Sequence, residues 1–125
     1  MIRRVLAATV LLLGSSMAAQ ASTLATGGVY GGNTQSVAVC YLFNASSNTI
    51  NVTTNQIIRQ DGTSVALASD NCSALAAGAS CAISANITNN QAYSCKFVFP
   101  ESKGEIRGVL DIRQGGTVLI NSNLY

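Results

Sequence analysis

The stretch from Asp70 to Ile83 reads D-N-C-S-A-L-A-A-G-A-S-C-A-I and decides how the rest of the chain is interpreted. It holds two of the four cysteines, Cys72 and Cys81, at the ends of a turn-prone segment. One large apolar residue, Leu75, and one glycine, Gly78, lie between them. Apolar and polar residues alternate directly afterwards, which is the pattern of a half-buried β-strand. The stretch therefore predicts a stapled loop that leads into a strand.

Further strand-like segments lie on both sides of this loop, separated by turn signals such as Asp61-Gly62 and Gly115-Gly116. The segment 36–43 is apolar on both faces and predicts a central strand covered on both sides. In the last segment, Val118 and Ile120 are expected to point inward. The predicted strands are 36–43, 49–58, 64–67, 81–88, 93–99, 105–113 and 117–121. Seven or eight short strands of this kind are typical of an antiparallel β-sandwich.

The first residues have the layout of a secretory signal peptide. Arg3 and Arg4 form a basic start, an apolar run follows from Val5 to Leu13, and small residues end at Ala21. The alternative is a retained membrane anchor, but the apolar run is short for a bilayer span. We expect residues 1–21 to be a signal-peptide helix that is cleaved, leaving a mature chain that begins at Ser22 with no membrane span.

Composition and charge limit the possible partners of the mature chain. Seven basic and five acidic side chains give +2, and removal of Arg3 and Arg4 leaves five of each. A formal charge near zero gives no reason to expect nucleic-acid binding. The remaining length suits one domain. We expect a Gly-rich N-terminal arm at 22–35, with at most a short edge strand, and an all-β sandwich at 36–125.

The pattern C-x-x-L-x-x-G-x-S-C from Cys72 to Cys81, followed by a strand and later by 108–112 (G-V-L-D-I), resembles a known family. It is similar to the immunoglobulin-like modules of the ASPM/SPD-2/Hydin type that occur in exported bacterial proteins. The resemblance covers roughly 36–121. It implies a seven-stranded sandwich that acts as a structural or protein-binding unit without a catalytic centre. The segment 92–99 looks inserted relative to that pattern, so the strand order near the C-terminus stays open.

The sequence Tyr93-Ser94-Cys95 also has the Y-x-C form of the tyrosine corner of immunoglobulin domains. That resemblance implies a bridge between sheets from Cys95 to Cys40, which lies in an apolar strand. Four cysteines permit three pairings, and the sequence does not choose among them. The favoured pairs are Cys72–Cys81 and Cys40–Cys95, both as structural staples, because an exported chain meets oxidising conditions.

Residues that carry common chemistry are missing from the sequence. There is no histidine, which removes the commonest general base and every Ser-His or Cys-His arrangement. No C-x-x-C pair or D-x-D ladder suggests a metal, and the glycine pairs lack the strand–helix context of a phosphate loop. We therefore expect no catalytic residue, no metal site and no cofactor.

Three functions remain as expectations for a periplasmic or secreted chain. The first is a non-catalytic structural or protein-binding module with a protein partner in the envelope or outside the cell. Its candidate binding edges carry Thr23, Val29, Tyr30, Val118 and Ile120, because an exposed sheet edge accepts another strand. The second is a fimbrial or adhesin-like subunit whose N-terminal arm inserts into a neighbour. The third is a disulfide-stapled inhibitor or effector that binds through the loop 73–80.

Overall fold

The computed structural model describes residues 20–125, so the expected signal peptide lies outside the described residues except for its last two positions. Seven strands have four or more residues and three have only two. In chain order they are β1 (Ser22–Ala25), β2 (Val37–Asn44), β3 (Ile50–Asn51), β4 (Thr54–Arg59), β5 (Ser69–Asp70), β6 (Ala74–Leu75), β7 (Ser80–Asn86), β8 (Tyr93–Phe99), β9 (Ile106–Gln114) and β10 (Thr117–Asn123). The described chain is all-β, and within it no helix is long and apolar enough to cross a membrane.

The strands form two main antiparallel sheets. The larger has five strands in the order β10-β9-β2-β7-β5, and the smaller has three in the order β1-β8-β4. A further small pair joins β3 to β6. β2 lies at the centre of the larger sheet, between β9 and β7, as its apolar sequence predicts. The architecture agrees with the predicted β-sandwich.

Alternation along the strands builds the interior between the two main sheets. β8 shows strict alternation, with Tyr93, Cys95, Phe97 and Phe99 almost fully buried and the residues between them partly exposed. Inward-facing side chains from β2, β7 and β9 complete the core from the larger sheet, namely Cys40, Leu42, Ile83, Ala85, Leu110 and Ile112. Burying apolar surface is worth about 25 cal/mol per Å², so this interior is the main source of the domain's stability.

Both favoured disulfides are present, and they leave no free cysteine. Cys40 on β2 and Cys95 on β8 join the two main sheets through the core, with neither residue exposed to solvent. Cys72 and Cys81 close the short loop that precedes β7. Disulfides persist where conditions are oxidising, so the two bonds indicate an extracytoplasmic environment.

Asn44, at the end of β2, fixes the stapled loop to the neighbouring turn. Its side chain is fully buried, and its amide nitrogen donates to the carbonyls of Asn48 (2.7 Å) and Leu75 (2.9 Å). Its amide oxygen accepts from the backbone N–H (3.0 Å) and the hydroxyl (2.6 Å) of Ser46. The backbone N–H of Gly78, whose φ is +74°, donates to the Asn44 carbonyl. A buried polar group with every bond satisfied holds its surroundings in one arrangement.

The N-terminal segment is more closely integrated than a loose arm. β1 pairs with β8 over four residues, and Leu24 and Val29 are buried in the core. Without this segment the smaller sheet would expose its core at that edge. Burial of Leu24 and Val29 therefore holds the Gly-rich segment against the sandwich.

Three other expectations differ from the structure. The predicted strand 49–58 is divided into β3, which pairs with β6, and β4, which pairs with β8. The segment 64–67 forms no strand and makes only an isolated bridge from Ser64 to Ile58. Among residues 20–125 no further sheet lies over the outer face of β2, where Val39 is 9% exposed and Phe43 is 41% exposed. A run that is apolar on both faces indicates a central strand. Here the outer face of that strand is only partly covered, by the strands beside it rather than by a layer above it.

Candidate functional site

β10 is the outermost strand of the larger sheet and the candidate binding surface. It pairs with β9 from Thr117↔Gln114 to Asn123↔Val109, through the tight turn at Gly115, whose φ is +56°. The register shifts between Val118 and Ile120, so Leu119 lies at a bulge. β10 therefore has one long side paired and one long side at the margin of the sheet.

Three consecutive large apolar side chains on β10 are exposed. The exposed fractions are 43% for Val118, 37% for Leu119 and 42% for Ile120. Val118 pairs with Arg113 on the outer face, so the prediction that it points inward is wrong, whereas Ile120 pairs with the buried Ile112 on the inner face but remains 42% exposed. β10 lies at the margin of a sheet that has five strands, whereas the facing sheet has three, so the core does not extend over it. The bulge also interrupts strict alternation, and no sequence signal marks it, so the face on which Val118 lies was predicted incorrectly.

The outer side of β10 has no bonding partner among residues 20–125. Within these residues, the backbone hydrogen bonds of 117–123 run to β9 alone, which leaves the outward N–H and C=O groups unpaired. No charged residue occurs between Gln114 and Tyr125. Natural edge strands are commonly protected by lysine, proline or a bulge, and β10 has only the bulge. An exposed apolar edge with this little protection is suited to accept another strand.

The opposite candidate edge, β1, is partly closed by the chain itself. The N–H of Ala25 donates to the carbonyl of Tyr125 (3.1 Å), and the N–H of Tyr125 donates back to Ala25 (3.0 Å). The Nζ of Lys103 donates to the carbonyl of Thr23 at 3.3 Å. Thr23 is exposed, but its carbonyl and both outward backbone groups of Ala25 are already bonded.

The other two residues of the predicted N-terminal edge, Val29 and Tyr30, lie in different environments. Val29 is 7% exposed and bridges to Tyr93 in the interior, so its side chain is part of the core. Tyr30 is 52% exposed, and its hydroxyl donates to the Oδ1 of Asn90 at 3.0 Å. Of the five predicted edge residues, only Val118 and Ile120 lie on one strand with a free margin.

A fixed polar group lies beside β10 on the outer face of the larger sheet. Arg113, opposite Val118 in the register, donates through Nη2 to Asp111 (2.8 Å) and to the Tyr41 hydroxyl (2.9 Å). Its guanidinium carbon lies 5.8 Å from the centre of the Tyr41 ring, within cation–π range. The hydrogen bond with Asp111 raises the pKa of Arg113 above its ordinary value, against the opposing effect of burial. The flank of the edge is therefore rigid and electrically balanced.

Carboxylates elsewhere on the surface serve the structure. Asp61 accepts from Arg59 and from the backbone N–H of Thr63, and the Arg59 hydrogen bond holds the pKa of Asp61 well below its usual range. Burial acts to raise the pKa of Glu101, but hydrogen bonds from the backbone and side chain of Asn51 lower it overall. Among the residues that the structure describes, no three His, Cys, Asp or Glu side chains come together as a metal site would require.

The loop 73–80, considered as a possible inhibitory loop, presents little to a partner. Its one large apolar side chain, Leu75, is 4% exposed and packs into the core. The other side chains are alanine, serine and glycine. Binding hot spots are enriched in Trp, Tyr and Arg, and none of these lies in the loop.

Comparison of the sequence with models of protein families, and of the chain with curated proteins and solved structures, finds no match.

Proposed function

We propose that this chain is an exported, non-catalytic immunoglobulin-like module that binds a protein partner by accepting a strand on the free edge of β10. The observation that carries the proposal is the three exposed residues Val118, Leu119 and Ile120 on an unpaired, uncharged edge. Backbone groups at such an edge supply affinity, and side chains on either side of the strand supply specificity.

The immunoglobulin-like part of the proposal is supported by strand order. In such a sandwich the second, fifth and fourth strands share one sheet, and the third and sixth share the other. Here β2, β7 and β5 are neighbours in one sheet and β4 and β8 in the other, with the Cys40–Cys95 bond between β2 and β8. The ends differ, because β9 lies beside β2 where a first strand is expected and β1 lies beside β8 where a last strand is expected.

Tyr93 gives a second point of support. Its hydroxyl accepts from the backbone N–H of Thr88 at 3.0 Å and bonds the Thr88 hydroxyl at 2.9 Å. In immunoglobulin domains a tyrosine two residues before the second bridging cysteine bonds back to the backbone a few residues upstream. Tyr93, two residues before Cys95, follows that description.

The location of β1 bears on the fimbrial alternative. In that alternative the N-terminal strand is inserted into a neighbouring subunit, whereas β1 here pairs within its own sandwich and buries Leu24. An arm that already completes its own core favours the binding module over a donor-strand subunit. The inhibitor alternative is weakened by the lack of anchor residues in the loop 73–80.

Site-specific crosslinking tests the proposed edge directly. A benzoylphenylalanine placed at Leu119, in cells that export the chain, is expected to give a discrete covalent adduct whose protein component is identified by mass spectrometry. The crosslinked protein can be a second copy of the chain or a different protein, since either result agrees with strand addition. The matched control carries the same crosslinker at Thr63, an exposed turn residue on another part of the surface.

A charge on the edge then separates strand addition from nonspecific contact. Ile120→Lys should suppress the Leu119 adduct, because a lysine desolvated against an incoming strand opposes pairing. Tyr30→Lys, at the other predicted edge, should leave the adduct in place. Equal adducts from Leu119 and Thr63, no adduct at Leu119, or an adduct indifferent to Ile120→Lys would refute binding at β10.

A further inference from the structure

A second surface feature is a cleft where β1, the start of β9 and the C-terminal residues meet. Its volume is about 530 Å³, which lies within the range of about 300–1,000 Å³ typical of small-molecule sites. Its walls come from three segments that are far apart in the sequence, represented by Leu24, Ile106 and Leu124. The cleft is separate from the exposed triplet Val118, Leu119 and Ile120, which does not line it.

The walls of the cleft are apolar and firmly held. Leu24, Ile106 and Leu124 are 4%, 2% and 5% exposed, so each is anchored in the core and forms the floor of the cleft with little surface of its own. Gly108 lets Leu124 approach closely, because a Cβ at that position would lie 2.9 Å from the Leu124 Cδ2. At the rim, Tyr125 is 77% exposed, and no other large apolar side chain of residues 20–125 is exposed as much. An apolar ligand in the cleft would bury part of this ring.

The lining of the cleft has three polar side chains, Asn123 and two cations, Lys103 and Arg107, that form no ion pair within residues 20–125. Arg107 donates through Nη1 to the carbonyls of Gly104 (2.8 Å) and Ile106 (2.9 Å), and Lys103 donates to the carbonyl of Thr23 (3.3 Å). Neutral carbonyls thus hold both heads in place, and the remaining N–H groups of each are free to bind an anion. Within residues 20–125 the ion pairs involve Arg59 and Arg113 only.

An apolar pocket with two uncompensated positive charges at its rim is complementary to one class of ligand. We infer that the cleft binds a small amphipathic carboxylate, with its apolar body against the exposed ring of Tyr125 over a floor of Leu24, Ile106 and Leu124, and with its carboxylate bonded to Lys103 and Arg107. Charge-assisted hydrogen bonds of this kind are stronger than neutral ones, and the apolar walls add the transfer free energy of the buried chain. The site is a function beyond strand addition at β10, and neither depends on the other.

Titration of the mature chain with decanoate, followed by ¹H–¹⁵N NMR, tests the inference. We expect saturable shifts centred on Gly104, Leu124 and Tyr125. Decanol, which has the same apolar body without the charge, should bind at least about tenfold more weakly, since a charge-assisted bond is worth about 1.5–3 kcal/mol and 1.4 kcal/mol is tenfold. Shifts that map elsewhere, no saturation, or equal binding of decanol would overturn the inference.

Substitution of the cations tests which groups bind the carboxylate. Lys103→Gln and Arg107→Gln should each weaken decanoate binding by about tenfold and leave decanol binding unchanged. Both side chains are exposed, so the variants should fold, and the unliganded spectrum checks this. Lys96→Gln is the matched control, because Lys96 does not line the cleft. Wild-type affinity in both cleft variants, or an equal loss in the control, would contradict the assignment.

Discussion

Removing the disulfides one at a time should destabilise the domain unequally. The Cys40–Cys95 bond spans a sequence separation of 55 residues, and the Cys72–Cys81 bond spans 9. In the chain-entropy treatment a crosslink restricts the unfolded chain more when the closed loop is longer. The formula gives about 4.2 kcal/mol for the longer loop and about 2.6 kcal/mol for the shorter one at 25 °C. We therefore expect the double variant Cys40→Ala/Cys95→Ala to lose about 1.6 kcal/mol more than Cys72→Ala/Cys81→Ala.

Packing should widen this difference. Cys40 and Cys95 are fully buried and join the two main sheets, whereas Cys72 and Cys81, each 4% exposed and also part of the core, join a short loop to one sheet. Loss of two sulfur atoms from the centre of the core leaves a cavity that the surrounding residues only partly fill. Domains of this size are stable by about 5–15 kcal/mol, so loss of the inter-sheet bond should remove roughly a quarter or more of the stability, and loss of both bonds should cost about 6.8 kcal/mol.

Urea unfolding followed by far-ultraviolet circular dichroism measures both quantities that matter. The midpoint and slope give the free energy of unfolding, and the slope itself should rise more for Cys40→Ala/Cys95→Ala, because the unfolded chain then expands further. The matched comparison is Cys72→Ala/Cys81→Ala, which removes the same number of sulfur atoms. If that variant is destabilised as much as the other, or if its slope rises more, loop length and core position do not determine the contribution of each bond.

Three further changes test local features by urea unfolding or NMR titration. Asn44→Ala removes four side-chain hydrogen bonds and leaves buried groups unpaired, so it should lower the free energy of unfolding by about 2–4 kcal/mol. Asn48→Ala, which loses no side-chain bond, should lower it little. Equal losses in the two variants would contradict the role of Asn44. Gly108→Ala forces a contact against a core leucine and should cost about 1–3 kcal/mol, whereas a Cβ at Gly116 meets nothing within 4 Å and Gly116→Ala should be nearly neutral. The pKa of Asp61 should be lower than that of an ordinary aspartate. Because its folded pKa is depressed, its contribution to stability is present above the unfolded pKa of about 3.9 and is lost as the pH falls below that value. Asp61→Asn should therefore reduce the loss of stability on acidification.

Patterns along one strand were sufficient to predict much of the architecture. Alternation from Tyr93 to Phe99 predicts which side of β8 is buried, and the structure agrees at every position. The favoured pairing Cys40–Cys95 relied on the Tyr93 motif, whose hydroxyl does bond to Thr88. Such features could be predicted because the side-chain direction in a strand repeats every two residues.

Relations between distant segments could not be predicted in the same way. Alternation assigned Val118 and Ile120 to the same inner face, but it predicts neither the bulge between them nor whether another sheet lies over Ile120. The pairing of β1 with β8, and the cleft formed by Leu24 with Leu124, each join segments that are remote in the sequence. The charge of a cleft of this kind becomes evident only when the fold brings Lys103 and Arg107 to its rim.

The bond between the two main sheets also determines how the domain responds to mechanical force. When the chain is pulled at Ser22 and Tyr125, tension passes from one end to Cys40, across the sulfur bridge to Cys95, and on to the other end. Once the sheets have unfolded under tension, the residues between the two cysteines are not extended. At about 3.3–3.6 Å per extended residue, the stretched length is therefore limited to roughly half of what an uncrosslinked chain would reach. A partner that pulls on β10 would apply force to the hairpin of β9 and β10, whereas the segment between Cys40 and Cys95 would not be stretched.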